Sequence, residues 1–207
     1  MKRKGTVCIV LGVLLVLAAL GLSAYNYLDS RRAGRQAAEA VEHLEQVLPE
    51  PVQATADAPA GEAVIPDYVL DPTRDMPVRE IDGVAYAALL EIPALELKLP
   101  VLAEWSYDNL RLGPCRYSGS VYRNDLVIAG HNYASQFGTL RSLALGDRVY
   151  VTDMDGSRFA FEVAELHTLA PEQVEEMTDS EWDLTLFTCT VGGATRLAVC
   201  CTRVIEE

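Results

Sequence analysis

An uncharged stretch from Gly5 to Leu28, dominated by Val, Leu, Ile and Ala and preceded by Lys2, Arg3 and Lys4, constrains everything that follows it. Crossing the hydrocarbon core of a bilayer takes about 20 apolar residues in a helix, whereas a cleaved export signal has an apolar region of only about 7–15. The stretch therefore reads as a retained signal anchor. Leu22-Ser23-Ala24 offers a small-residue cleavage site for the alternative. Arg31, Arg32 and Arg35 follow the span, so basic residues on both flanks blunt the orientation rule, but either reading exports the C-terminal part of the chain.

The remainder of the 207 residues is enough for one domain with a real core and too short for two. A formal net charge of -13 argues against neutralising nucleic-acid phosphates, which takes clustered Lys and Arg. After the span, Ser30 to Leu48 is rich in Ala, Glu, Gln and Arg, and Ala37, Val41, Leu44 and Leu48 recur at helical spacing. A juxtamembrane helix is expected there, stopped by Pro49 and Pro51. The Ala-, Pro- and Asp-rich residues up to Pro77 show no period and read as a tether. The expected division is a basic tip and membrane anchor over 1–28, a juxtamembrane helix and linker over 29–75, and a single domain over 76–207.

From about Val84 the chain changes to short β-branched and aromatic runs separated by Gly, Pro and Asp turns, the texture of a mainly β domain. Strands are expected at Ala85–Glu91, Leu97–Leu102, Leu126–Gly130, Arg148–Thr152, Arg158–Leu166, Leu184–Cys189 and Arg196–Val204. Seven or eight such strands suggest a small closed barrel. One short helix is expected over Pro171–Met177, with acidic residues in its first turns as the helix dipole prefers.

None of the five cysteines, at 8, 115, 189, 200 and 201, forms a CxxC pair or a His/Cys cluster of zinc spacing, so no metal or cofactor is expected. Cys8 lies in the span and Cys115 in a Gly-Pro turn, and both default to structural roles. Cys200 and Cys201 are consecutive on a strand, so they point to opposite faces and at most one should be well buried. Cys189 differs. It ends the apolar strand Leu184–Cys189 and precedes the flexible turn Thr190-Val191-Gly192-Gly193-Ala194-Thr195, which returns the chain so that Arg196 falls almost opposite Cys189 at one rim. Arg203, seven residues on, lies roughly 23 Å away and on the other face, and reads as a surface charge. Of three histidines, His43 falls on the juxtamembrane helix and His167 follows a strand without catalytic context. His131 directly follows the strand Leu126–Gly130, whose final glycine permits close backbone approach. Two chemistries remain open on these residues alone: a Cys/His nucleophilic pair, or ordinary packing of a Cys and a His.

The residues Ile128-Ala129-Gly130-His131-Asn132, Phe137-Gly138-Thr139-Leu140, Gly146-Asp147, Thr185-Leu186-Phe187-Thr188-Cys189 and Thr195-Arg196-Leu197, in this order, resemble the sortases. Leu90-Glu91-Ile92-Pro93 and Leu99-Pro100-Val101 look like that family's first strand pair, and the resemblance covers roughly Val84 to Val204. It implies an eight-stranded closed β-barrel that cleaves a C-terminal, LPxTG-like sorting motif of secreted surface proteins through a thioester, then transfers the acyl group to an amine of a peptidoglycan precursor or another protein. By position, Cys189 is then the nucleophile, His131 the general acid and base, and Arg196 the residue that positions the substrate carbonyl and stabilises negative charge. Thr188 and Asn132 are expected to bind substrate. The resemblance also implies a single-pass protein of a Gram-positive cell membrane with its catalytic domain outside.

Within the family, Asp71-Pro72-Thr73 lacks the aromatic of a class C lid motif, and Ser135-Gln136-Phe137 after the GHN stretch leans towards class B, although Val191 stands where class B carries an acidic residue. Two alternatives remain: a hydrolytic cysteine endopeptidase using the same three residues, and a non-catalytic barrel that binds an envelope component, with Cys189 as packing and Arg196 as a surface charge.

Overall fold

The computed structural model describes residues 2–49, 67–173, 178 and 181–204. Helix α1 runs unbroken over Lys2–Val47, through the apolar span and the juxtamembrane segment alike. Among the described residues it is the one helix long and apolar enough to cross a bilayer. Its end just before Pro49 follows from proline's missing N–H and its clash with the preceding turn.

The rest is a β-barrel. Strands β1 (Arg79–Ile81), β2 (Val84–Ile92), β3 (Leu97–Leu102), β4 (Cys115–Ser118), β5 (Leu126–Gly130), β6 (Arg148–Asp153), β7 (Arg158–Leu169), β8 (Leu184–Cys189) and β9 (Arg196–Val204) follow in sequence. Their spatial order is β1-β2-β3-β4-β5-β8-β9-β7-β6, and β2 also pairs β6, so β2 to β9 close on themselves as eight strands with β1 as a flap on β2. Closure removes the exposed edges that an open sheet of this size would present. Four strands keep the boundaries expected from sequence, and β2, β6 and β7 extend beyond theirs by one to three residues. β1 and β4 were not anticipated: each is only three or four residues long, and β4 follows Gly113-Pro114, which reads as a turn. The helix expected over Pro171–Met177 lies largely outside the described residues, and Pro171–Glu172 form a turn.

The main core fills the barrel with side chains such as Leu90, Ile128, Phe137, Phe161, Leu186 and Val199. A second cluster, Leu44, Tyr86, Leu102, Leu110, Cys115, Ala129 and Met154, lies between the barrel wall and α1. Strand β5 is accordingly buried along its whole length. Ala33, Ala37, Val41 and Leu44 form the buried stripe of α1, and Leu44 is fully buried. Burying a leucine contributes about 1.5–3 kcal/mol, so the juxtamembrane helix is a wall of the domain. Lys98 adds a polar tie, reaching both Glu45 of α1 and Glu91 of β2.

Most of the expected tether, residues 50–66, lies outside the described residues, and the part just before β1 is docked on the barrel. Helix α2 (Asp67–Leu70) lays Tyr68 parallel to Tyr122, ring centroids 5.0 Å apart, and edge-on to Phe159. Asp71 then accepts from the Thr73 N–H at 3.0 Å and hydroxyl at 2.6 Å, and Met76 is buried. Aromatic contacts and a side-chain turn thus fix residues that composition marks as linker.

Cys200 and Cys201 are both buried, against the expectation that one would be exposed. Cys201 enters the core, while Cys200, on the other face, stands in register between Thr185 and Glu165 on the neighbouring strands, which suffice to cover so small a side chain. Burial raises the Cys200 thiol to about 11 and raises that of Cys201 as well. Arg203 is more than a surface charge: its Nη1 donates to Asn124 Oδ1 at 2.9 Å and its guanidinium lies 4.7 Å from the Phe159 ring centre.

Candidate active site

Three strand ends meet at one rim. In the parallel pair β5–β8, Gly130 lies opposite Thr188, and in the antiparallel pair β8–β9, Cys189 lies opposite Arg196. His131, the residue after Gly130, therefore emerges beside Cys189, with Arg196 on its other side. The thiol is partly exposed, and among the described residues all five cysteines are free.

Gly130 is required by packing. A Cβ there would stand 2.5 Å from Phe137 Cδ2, well inside contact distance, so only glycine allows the Phe137 ring under the His131 backbone. The loop beyond is pinned from several sides. The His131 N–H donates to Oε1 of the fully buried Gln136 at 3.1 Å, whose Nε2 donates to the Leu110 carbonyl at 3.4 Å. The N–H groups of Gln136 and Gly138 both donate to the Tyr133 carbonyl at 2.9 Å, and that of Phe137 to the His131 carbonyl at 3.0 Å.

The His131 imidazole is stacked on Tyr133, centroids 4.7 Å apart and planes 27° from parallel. Burial holds its pKa below the usual 6.5; the nearby Arg111 guanidinium, from helix α3 (Tyr107–Leu112), lowers it further, and Asp29 of α1 offsets part of the effect. A neutral imidazole results near neutral pH, able to accept a proton.

The six-residue turn between β8 and β9 closes on itself. The Thr190 N–H donates to the Thr195 carbonyl at 3.0 Å, their hydroxyls meet at 2.7 Å, and Gly192 and Gly193 take left-handed dihedrals with φ of 86° and 73°. The Asn132 amide reaches the Thr190 carbonyl at 3.5 Å, bridging the histidine loop to the cysteine turn. Arg196 Nη1 donates to the Gly193 and Thr195 carbonyls, each at 3.1 Å. Its guanidinium therefore braces the turn that follows Cys189, leaving Nε and Nη2 outside these bonds.

A cavity of about 500 Å³ opens beside the thiol, lined among others by Asn132, Thr139, Arg141, Thr188, Cys189 and Leu197. Thr188 is 4% exposed and its hydroxyl has no hydrogen-bond partner among the described residues. A buried orphan hydroxyl costs about 1–3 kcal/mol, and this one belongs to a residue that lines the cavity. Sequence reasoning had proposed Thr188 and Asn132 and missed Arg141, Tyr133 and Gln136. Phe137-Gly138-Thr139-Leu140 lies close to them, but nothing in the pattern shows which neighbours line the cavity or hold the His131 loop.

The other histidines lie elsewhere. His43 stands 3.8 Å from Asp82, and His167 pairs with Glu165 at 2.5 Å. Among the described residues no group of three or more His, Cys, Asp or Glu side chains is placed to hold a metal ion.

The family model described as Sortase domain matches residues 90–204, more than half of the chain. Sortase C1 from Streptococcus suis superposes with a TM-score of 0.51 at 28% identity, over 59% of this chain and 74% of that one. Sortase C-1 from Actinomyces oris gives 0.51 at 26% identity, over 57% and 73%. Sortase C1 of GBS pilus island 1 gives 0.54 over 87% and 85%, and at 19% identity it speaks for the fold alone. A search of curated proteins found no match. These three structures are of C1 sortases, whereas the sequence motifs argue against class C and leave the chain's own class open. A barrel with this closure, this rim and a family match spanning Leu90 to Val204 places the protein: the chain belongs to the sortase family.

Proposed function

We propose that this protein is a membrane-anchored cysteine transpeptidase that cleaves an LPxTG-like sorting motif of exported proteins and joins the new carboxyl end to an amine of the cell envelope. One observation supports the reading most directly: β5 and β8 end where β9 begins, so that His131, Cys189 and Arg196 share a rim beside a cavity lined by Cys189 and Thr188.

In the first step the neutral His131 takes the thiol proton of Cys189, and the resulting thiolate attacks the scissile carbonyl carbon. The C–N bond breaks as the C–S bond forms, and His131, in its protonated form, gives its proton to the departing amine. Arg196, with Nε and Nη2 outside its contacts to the turn, aligns the carbonyl and balances the charge that gathers on its oxygen. In the second step a neutral amine attacks the thioester, His131 takes its proton, and the sulfur leaves as thiolate. Thr188 and Asn132 hold the peptide. Water in place of the amine would make the enzyme a hydrolase. The apolar helix and the family together support a location at the cell membrane with the barrel outside.

The test is mass spectrometry of the full chain in lipid nanodiscs, incubated with LPxTG-like peptides and a panel of small amines, with Cys189→Ala as control. A Cys189-dependent acyl adduct that an amine converts to ligated peptide is the expected result. Release of free acid alone with every amine would make the protein a protease, and a thiol unreactive towards peptides and alkylating agents alike would favour a binding barrel.

A further inference from the structure

The helix that carries the membrane span also fixes which end of the barrel looks at the membrane. The apolar run ends at Leu28, with the exposed Tyr25 and Tyr27 at the level where aromatic side chains favour the headgroup zone. The next two residues already touch the candidate site. The Tyr133 hydroxyl donates to Asp29 Oδ2 at 2.8 Å, and the Ser135 hydroxyl donates to the Ser30 carbonyl at 3.0 Å. At its other end, α1 offers the Val47 carbonyl to Arg79 Nη1 at 3.0 Å, while Nη2 of the same guanidinium reaches the Met154 carbonyl at 3.4 Å.

Met154 sits in the β6–β7 turn, and the registers show which end that is. Ala160, near the start of β7, pairs with Val204 at the end of β9, whereas Leu169 pairs with Arg196. The β6–β7 turn therefore lies at the rim opposite Cys189. From Asp29 to Val47 is about 27 Å of helix at 1.5 Å per residue, and from Arg196 to Val204 is about 26 Å of strand. The juxtamembrane half of α1 thus climbs the whole barrel wall from the Cys189 rim to the opposite one, with no break between it and the span.

We propose that the Cys189 rim lies against the outer lipid headgroups, so that the site opens at the membrane surface and not away from it. The proposal rests on the membrane reading of the apolar helix and deepens the site reading above. What the rim offers suits that partner: Val191, at the tip of the β8–β9 turn, is 85% exposed, and Arg111 and Arg141 beside the site are exposed cations. The described part of the pre-barrel segment leaves this rim open, since Tyr68 and Met76 pack against the barrel elsewhere and Tyr68 stacks on Tyr122.

The chain has two tryptophans, and Trp182 precedes β8 at the rim opposite Cys189. The full chain is placed in nanodiscs containing lipids brominated near the headgroup. Two single-tryptophan variants are compared: Trp105→Phe, which keeps Trp182, and Trp105→Phe/Trp182→Phe/Val191→Trp, which reports from the site rim. The expected result is loss of most Val191→Trp emission with Trp182 little affected; equal quenching, or stronger quenching of Trp182, overturns the orientation. A second measurement needs no substitution. With a gadolinium-chelating lipid, the side-chain resonance of His131 should broaden more than that of His43, which lies about 21 Å further along α1 from Asp29. The reverse order overturns the proposal. Neither readout requires turnover, so both hold whether the site transfers to amines, hydrolyses or only binds.

Discussion

The Tyr133 hydroxyl donates to Asp29 Oδ2 at 2.8 Å, and the same Tyr133 ring stacks on His131, so the residue that follows the apolar span of α1 is one side chain away from the imidazole of the site. Asp29 also supplies the charge that partly offsets burial and Arg111 in setting the His131 pKa. Removing that charge should lower the pKa further, because a nearby anion favours the imidazolium. In Asp29→Asn, NMR titration of labelled histidine should show the His131 midpoint moved down. An unchanged His131 midpoint would mean that solvent screens the pair completely.

The same depressed pKa has a consequence for stability. A histidine whose folded pKa lies below its ordinary value of 6.5 binds fewer protons folded than unfolded. Its contribution is therefore complete above that value and is lost as pH falls through the folded pKa. Going from about pH 7 to about pH 5, the full chain should lose melting temperature, and His131→Gln should lose less. Equal losses would place the acid sensitivity in other groups.

Gly130→Ala tests the packing that launches His131. The added methyl would meet Phe137 ring carbons at 2.5 and 2.7 Å, so either the ring or the strand end has to move. Overpacking of this kind costs about 1–3 kcal/mol, read as a lower melting temperature. Cys189-dependent acylation should fall by more than the stability loss explains, since the displaced atoms carry the histidine. Adding Phe137→Leu should recover part of both.

How far the sequence already told this story varies with the residues. Leu126–Gly130, Leu184–Cys189 and Arg196–Val204 were legible to the residue because largely apolar, β-prone runs are bounded by turn formers, and the three ends that make the rim could be named from them. Cys115–Ser118 was not legible, because a four-residue strand beside Gly113-Pro114 has the composition of a turn. The stripe Ala37, Val41 and Leu44 announced a helix but not its partner, since periodicity shows a face and says nothing of what covers it. Tyr68 and Met76 were hidden for a related reason: a few well-placed side chains dock a segment whose average composition is that of a linker. The orientation of Arg196 onto its own turn depends on the φ values of Gly192 and Gly193, which no spacing rule reports.

Thr188→Val replaces an unpartnered buried hydroxyl with a methyl of similar shape. If that hydroxyl only packs, the change should be neutral or stabilising, by about 1 kcal/mol at most, and peptide kinetics should stay as they were. If it donates to bound peptide, stability should again hold or rise while KM for the peptide increases severalfold. The split between stability and KM decides between these roles, and we expect the second.

Arg196 separates bracing from catalysis. Its Nη1 holds the Gly193 and Thr195 carbonyls, and a lysine at the same place can reach one such carbonyl but cannot also present a second, rigidly placed donor to substrate. A residue that merely braces the turn would let lysine recover most of what alanine loses. A residue that also stabilises the developing oxyanion should lose about 10²–10³-fold in kcat on substitution by alanine, with lysine recovering little. The side chain is partly exposed at the start of β9, so neither variant should move the melting temperature by much. Thiol alkylation kinetics complete the test: the Cys189 rate with a small neutral reagent should change little in Arg196→Lys even as peptide acylation collapses, because the reagent builds no charge on a carbonyl oxygen for Arg196 to meet.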